Sequence, residues 1–197
     1  MGAPSEVMVV AALRTELLFV RGPKGALGMG EAARAGLRRL LDRRPAKACV
    51  LVGYCGGLAE DLPPGALILA ERVVGPEGTV RVGAKALAKA QDLLPEARVG
   101  PIFTDPLLLR KKVAKLKALE EHRISPLGVD MESNFVAAEL FRRKIPFLVA
   151  RVVLDPWEEE VSLGPSRFLW APRAIFCSWK LAKAVPKLKK ALRESHG

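Results

Sequence analysis

Histidine is scarce in this chain of 197 residues, which contains only His122 and His196. A Ser-His-Asp triad needs a histidine to accept the serine proton, and catalytic zinc sites are built largely from histidines. We therefore expect neither kind of site, and we expect no metal and no cofactor. Any acid–base chemistry must then be carried out by carboxylates.

Cysteine is also scarce, and its three positions, Cys49, Cys55 and Cys177, follow no recognisable spacing. A CxxC motif is absent and the count is odd, so neither a thiolate metal site nor a disulfide framework is indicated. The sequence predicts free thiols.

Long hydrophobic runs are absent as well, since no apolar stretch approaches the roughly 20 residues that a membrane helix needs. No charged start is followed by an apolar targeting segment, so we expect a cytoplasmic protein without membrane contact. Half of the residues are nonetheless hydrophobic, which indicates a folded chain. Its length fits one domain over residues 1–197.

Basic residues are abundant, giving a formal net charge of +11 and a pI near 10.0. Such a charge is compatible with nucleic-acid binding, because lysine and arginine neutralise phosphates. The basic residues alternate with Leu, Ala and Val at helical spacing, however, which is typical of the solvated faces of packed helices. We therefore interpret them as helix surfaces and do not expect a nucleic-acid partner.

Apolar runs and helical patterns alternate along the chain, which predicts an α/β domain. The predicted strands are Val7–Leu13, Lys47–Gly53, Ala66–Val74, Arg98–Phe103, a short strand at Gly128 and a run from Pro146 to Asp155. The predicted helices are Glu31–Arg44, Ala84–Leu94, Pro106–Glu121, a helix capped by Asp130 that ends near Lys144, and Val185 to about Glu194. Glycine-rich turns are predicted at Gly22–Gly30 and Gly75–Gly78.

Two carboxylates follow predicted strands, where parallel α/β sheets place their chemistry. Glu16 comes after the first strand, and Asp155 ends the last one. Each also has a purely structural explanation. Glu16 could complement the dipole of a helix, and Asp155 could form an Asp-Pro turn with Pro156.

Further candidates lie between and beside these carboxylates. Met131 and Glu132 together offer an apolar surface and an acceptor, which is what the face and hydroxyls of a sugar require. Arg151 interrupts an otherwise apolar strand and needs a buried partner, either structural or functional. Gly56 and Gly57 could let a ligand approach the backbone, or could serve only to bend the chain.

Three segments in a fixed order resemble the purine nucleoside phosphorylase and nucleosidase superfamily. They are VGYCGGLAEDLPPGALILAE, GVDMESNFVAA and IPFLVARVVLDP. The resemblance is nearest to the branches of methylthioadenosine/S-adenosylhomocysteine nucleosidases and hopanoid-associated phosphorylases, and it extends from Val7 to about Trp157. It implies a central mixed, mostly parallel sheet flanked by helices.

The resemblance also implies roles for individual residues. Asp155 would assist the departing purine base, Glu16 would orient the attacking water, and Arg151 would lie near that water or an anion. Met131 and Glu132 would hold the ribose. Cys55, Gly56 and Gly57 would belong to a substrate-lining loop. Leu107 and Leu108, in the stretch FTDPLL, would contact the base.

Three functional hypotheses follow, and the chain departs from its relatives in ways that bear on them. The first is a purine-type nucleosidase using water, favoured by Glu16. The second is a nucleoside phosphorylase, with Arg14 and Arg151 binding phosphate. The third is a catalytically degenerate member that binds a ligand or nucleic acid. Leu154 stands where relatives have a small hydroxyl residue, and the segment from Phe19 to Gly28 is short. Relatives assemble from several copies, so we expect a homo-oligomer.

Overall fold

The computed structural model describes residues 5–107, 110–157 and 170–196. The strands are β1 Ser5–Ala11, β2 Lys24–Ala26, β3 Ala46–Gly57, β4 Leu67–Gly75, β5 Gly78–Arg81, β6 Arg98–Thr104, β7 Gly128–Asp130 and β8 Phe147–Asp155. The helices are α1 Ala32–Arg43, α2 Ala84–Leu93, α3 Lys111–His122, α4 Ser133–Arg142 and α5 Trp170–His196, with a short 3-10 helix at Thr15–Leu17.

The sheet closes on itself through five strands. β3 pairs with β7, β7 with β6, β6 with β4, β4 with β8, and β8 again with β3. β1 and β2 extend the sheet from β3, and β5 extends it from β4. Five of these pairings are parallel and three are antiparallel, so the predicted mixed, mostly parallel α/β sheet flanked by helices is confirmed.

Apolar strands form the core. Residues from Cys49 to Val52 in β3 and from Leu148 to Val153 in β8 are almost completely buried, as expected for strands covered on both faces. β3 and β8 pair in parallel over most of their length. Their carboxyl ends therefore meet at one place, and the candidate residues of both strands are carried there.

Two short strands were not predicted from the sequence. β2 falls inside the predicted Gly22–Gly30 turn and adds to the edge of β1, with glycines at positive φ on either side. β5 follows the turn after β4 and forms a hairpin in which Gly75 pairs with Gly78. Both strands are short, and tertiary pairing rather than their own composition determines them.

Two helices begin at other residues than predicted. α3 starts at Lys111 instead of Pro106, because Pro106 and Leu107 lie in a turn. α5 starts at Trp170 instead of Val185 and continues through Pro186. Its buried face follows helical spacing upstream of that proline, at Ala174, Cys177, Leu181 and Ala184. No helix among the described residues is long and apolar enough to cross a membrane.

Candidate active site

Arg151 is the centre of a buried polar cluster. It lies in the middle of β8 and is completely buried. Its Nε is 2.9 Å from Asp130 Oδ2, and its Nη2 is 2.9 Å from Glu132 Oε1. Nε and Nη2 also donate to Ser133 Oγ, at 3.0 and 2.6 Å. The loop between β7 and α4 thus supplies the partners that a buried arginine requires.

Glu16 joins this cluster from the segment after β1. Its Oε2 accepts a hydrogen bond from the Leu13 N–H at 2.7 Å, and its Oε1 accepts one from the Tyr54 N–H at 2.8 Å. The side chain is buried, with 2 % exposure. Backbone donors on two elements therefore fix both carboxylate oxygens, so the position of this group is set by the fold.

Gly53 allows Glu16 and Arg151 to approach each other. A side chain at this position of β3 would overlap Arg151 Nη1, and its Cβ would be 2.7 Å from Glu16 Oε1. Nη1 itself is buried and has no hydrogen-bond partner among the described residues. The cluster thus holds an unused guanidinium donor next to a fixed carboxylate.

Asp130 has two functions in the cluster. Its Oδ1 accepts hydrogen bonds from Thr104 Oγ1 at 2.8 Å and from the N–H groups of Glu132 and Ser133 at 3.3 and 3.0 Å. The N-cap of α4 is Glu132, so the prediction that Asp130 occupies the N-cap is wrong by two residues, although Asp130 still accepts from the N–H groups that precede and begin the helix. Oδ2 pairs with Arg151, so the same residue also orients the guanidinium.

Burial controls the ionisation of the cluster. Burial raises the pKa of Glu16 above its ordinary value, against the opposing charge of Arg151. Burial likewise raises the pKa of Glu132 to about 8, with Arg151 opposing and Asp130 adding to the shift. Burial alone would lower the pKa of Arg151, but Asp130, Glu132 and Glu16 together hold it above its usual range. The cluster therefore retains a proton on a carboxyl group near neutral pH.

The pKa of Glu132 predicts how stability depends on pH. The folded chain keeps a proton on Glu132 up to about pH 8, whereas the unfolded chain releases it near 4.5. The stabilisation that protonated Glu132 provides is therefore fully present below the pKa of Glu132 in the unfolded chain. It is lost as the pH rises through the pKa of Glu132 in the folded chain. Glu132→Gln should remove this part of the dependence. Urea unfolding from pH 5 to 8 should show wild-type stability falling relative to the variant, and parallel curves would contradict the assignment.

A second group of polar residues lies where β8 ends. Asp155 Oδ2 is 2.9 Å from the Nζ of Lys111, the first residue of α3. Lys111 Nζ also donates to the carbonyl oxygens of Asp155, at 3.4 Å, and of Pro156. Gly56 leaves room for this pair, since a Cβ there would be 3.2 Å from Lys111 Cδ and 3.3 Å from Asp155 Oδ2.

The two groups contact β3 through different faces. Gly53 approaches the Arg151 cluster and Gly56 approaches Asp155, and strand residues three apart point to opposite faces. The register between β3 and β8 shifts after Cys55, leaving Leu154 as the extra residue of a bulge. Arg151 and Asp155 are four residues apart, which is roughly 13 Å between backbone positions in a regular strand and less across the bulge. A ligand that contacts both must therefore lie across the carboxyl end of the sheet.

The remaining predicted site residues are distributed around these two groups. Cys55 is buried, and burial holds the pKa of its thiol well above the ordinary value. Met131 is half-buried. Leu107 is 71 % exposed, and its N–H donates to Asp105 Oδ1 at 2.9 Å. Arg14 is exposed at the start of the 3-10 helix. Leu108 lies outside the described residues.

Sequence reasoning missed Lys111, which it assigned to a solvated helix face. The structure buries Lys111 with Ala114 and Ala118 on the packed face of α3. The spacing of three and four residues places all three on one face, and this signal could have revealed the lysine. Gly53 and the contacts of Ser133 with Arg151 had no comparable sequence signal, because both depend on the pairing of β8.

A cavity of about 570 Å³ lies elsewhere, between α5, the start of β4 and the end of α2. None of the residues that line it belongs to either polar group. Phe176 and Trp179 on α5 are 45 and 42 % exposed.

Comparisons with known proteins agree with this fold. The family model described as "Phosphorylase superfamily" matches residues 6–169. No curated protein sequence matches the chain. The solved structures that it resembles include three bacterial proteins. A Streptococcus pneumoniae 5'-methylthioadenosine/S-adenosylhomocysteine nucleosidase with a transition-state inhibitor has a TM-score of 0.78 at 17% identity, covering 95% of this chain and 99% of that one.

The second is the futalosine hydrolase of Helicobacter pylori, with a TM-score of 0.77 at 16% identity, covering 93% of this chain and 97% of that one. The third is a putative 5'-methylthioadenosine/S-adenosylhomocysteine nucleosidase from Borrelia burgdorferi, bound to adenine. Its TM-score is 0.79 at 14% identity, covering 93% of this chain and 99% of that one. At such low identity the likeness establishes the fold.

Proposed function

Because the chain belongs to the phosphorylase superfamily, we propose that it cleaves the N-ribosidic bond of a purine-type nucleoside with water as the nucleophile. The family confirms the prediction of an enzyme, and the substrate and the nucleophile are our proposal. The observation that carries it is the fixed, buried carboxylate of Glu16 beside the unused Nη1 of Arg151. A water molecule held by these two groups would have one acceptor and one donor.

Glu16 is suited to act as the general base. A base is most effective when its pKa lies near the working pH, and burial raises the pKa of Glu16 in that direction. In the proposed reaction its carboxylate accepts a proton from water as the oxygen attacks C1' of the ribose. Arg151 orients the water through Nη1, while its other nitrogens remain bound to Asp130, Glu132 and Ser133.

Glu132 and Met131 are proposed to bind the ribose. Glu132 Oε1 pairs with Arg151, and a carboxyl group has a second oxygen available for a sugar hydroxyl. Met131 follows Asp130 in the same loop and would present its flexible apolar side chain to the sugar. Cys55, Gly56 and Gly57 would line the path from the ribose to the base. Leu107 and Leu108 are proposed to border the base.

Asp155 is proposed to assist the leaving base at the far end of the site. Cleavage of an N-ribosidic bond passes through an oxocarbenium-like state, so the departing base gains electron density that a proton must neutralise. Arg151 and Asp155 lie four residues apart on β8, so a nucleoside could contact the first group through its ribose and the second through its base. Asp155 is thereby assigned to the base and Glu16 to the water.

A phosphorylase remains the second candidate, and the charges at the site argue against it. Three carboxyl groups, Glu16, Asp130 and Glu132, surround a single buried guanidinium. A phosphate ion next to them would meet like charges, whereas a neutral water would not. Arg14, the other proposed phosphate ligand, is exposed at the surface.

The experiment that tests this function measures release of free base from methylthioadenosine, S-adenosylhomocysteine, futalosine and inosine, with and without phosphate. We expect at least one nucleoside to be cleaved at the same rate in both buffers. A strict requirement for phosphate would establish a phosphorylase instead. No base release, combined with strongly salt-dependent oligonucleotide binding, would establish the degenerate, nucleic-acid-binding alternative.

A further inference from the structure

Lys111 occupies a position that is unfavourable for a lysine on two grounds. It is 5 % exposed, and burying an ammonium group is costly unless the group is paired. It is also the first residue of α3, where the helix dipole disfavours a positive charge. The ion pair with Asp155 and the contacts with two carbonyl oxygens compensate for both. The fold thus holds an ammonium group at the residue proposed to assist the base.

The ion pair changes what Asp155 can do. A carboxylate in an ion pair accepts hydrogen bonds and has no proton to give, whereas an ammonium group carries three donor hydrogens. In the observed arrangement, the proton next to the base subsite therefore belongs to Lys111. Asp155 fixes the lysine through Oδ2 at 2.9 Å.

Building on the proposed function, we propose that Lys111 is the catalytic acid for the leaving base and that Asp155 positions it. As the bond between C1' and the base nitrogen breaks, its electron pair goes to the base. The base takes a proton from Lys111 Nζ, which becomes a neutral amine. Water adds to C1' and gives its proton to Glu16. Lys111 then takes up a proton from solvent, and Glu16 releases its proton to solvent. The net reaction therefore consumes one water molecule.

Gly56 allows the ion pair to lie against the backbone of β3. It is half-buried, and a side chain there would press on Lys111 Cδ and Asp155 Oδ2. The pair thus occupies the space that a side chain would take. A base at the carboxyl end of β3 would be within reach of the ammonium group.

The test compares two leaving groups. A purine needs a proton to leave, whereas the nitrophenolate of 4-nitrophenyl β-D-riboside leaves without one. Lys111→Met should lower kcat/KM for the purine nucleoside by about 10²- to 10⁴-fold. It should leave cleavage of the nitrophenyl riboside nearly unchanged. Lys112→Met, at the exposed neighbouring position, is the matched control and should leave both substrates unaffected.

Lys111→Arg separates proton donation from the positioning of Asp155. A guanidinium keeps an ion pair with the carboxylate but does not release its proton in proteins. This variant should lose purine cleavage as the Met variant does. Retained purine cleavage in either variant would overturn the proposal, and so would an equal loss on both substrates.

Folding and the underlying function are checked separately. The double variant Lys111→Met with Asp155→Asn removes both charges of this ion pair, and it should show the same loss as Lys111→Met alone. If the losses in kcat/KM from the two single substitutions added in the double variant, Asp155 would not act through Lys111, and the proposal would be overturned. If wild-type protein releases no base from any nucleoside, the proposed function fails and the role of Lys111 fails with it. If wild type cleaves nucleosides and the variants do too, only the role of Lys111 fails.

Discussion

Replacing Glu16 by Gln should lower kcat for nucleoside hydrolysis by about 10²- to 10⁴-fold, the usual contribution of a general base. The amide has nearly the same shape as the carboxylate but cannot accept a proton from water. The loss should appear in kcat more than in KM, because Glu16 is assigned to the water and not to the ribose. Steady-state kinetics on the best nucleoside of the panel measures the effect.

The same substitution should also destabilise the fold to a limited extent. Both oxygens of Glu16 accept backbone hydrogen bonds, and an amide offers only one oxygen. One backbone N–H then loses its acceptor, at a cost of about 1–3 kcal/mol. Glu139→Gln is the matched control, since Glu139 is also buried but pairs with Arg38 and Arg143. This control should lose stability and keep kcat; full activity in Glu16→Gln would refute the general base.

Replacing Arg151 by Met should lower the free energy of unfolding by about 3–5 kcal/mol, the usual result of removing one member of a buried ion pair. Methionine fills much of the space but leaves Asp130, Glu132 and Glu16 buried without a positive charge. Urea unfolding measures the change. The loss should be smaller at pH 5 than at pH 8, because protonation of the carboxyl groups removes their repulsion.

Arg142→Met is the control for this stability effect. Arg142 pairs with Glu77 and Glu139, but its side chain is 47 % exposed, and each of these acids has another arginine partner. Because Arg142 is about half exposed and both acids keep an arginine, its removal should cost only about 0–1 kcal/mol. Equal decreases in the free energy of unfolding in the two variants would contradict the proposed importance of the buried charge of Arg151.

Much of the fold could be predicted from the sequence because long apolar runs and helical periodicity carry it. The apolar runs in β3 and β8 became the buried strands on which the site is built. The short strands β2 and β5 could not be predicted, since their residues are extended only because a neighbouring edge is available. The start of α5 was predicted at Val185 instead of Trp170, and the helix continues through Pro186.

The geometry of the candidate site could be predicted only in part. The structure brings Glu16, Glu132 and Arg151 close together. Sequence could not reveal that Asp155 contacts β3 through the other face, because this depends on the bulge at Leu154. It also could not reveal the partner of Asp155, which comes from the start of α3. The catalytic roles of all these residues remain predictions.

The identity of the sugar product tests the central claim most directly. Purified wild-type protein is incubated with the nucleoside that it cleaves best, in buffer containing phosphate, and the sugar is identified by mass spectrometry. If Glu16 and Arg151 activate water, the product is the unphosphorylated sugar, and Glu16→Gln forms almost none of it. A sugar 1-phosphate, or the same yield of free sugar from the variant, would contradict the account.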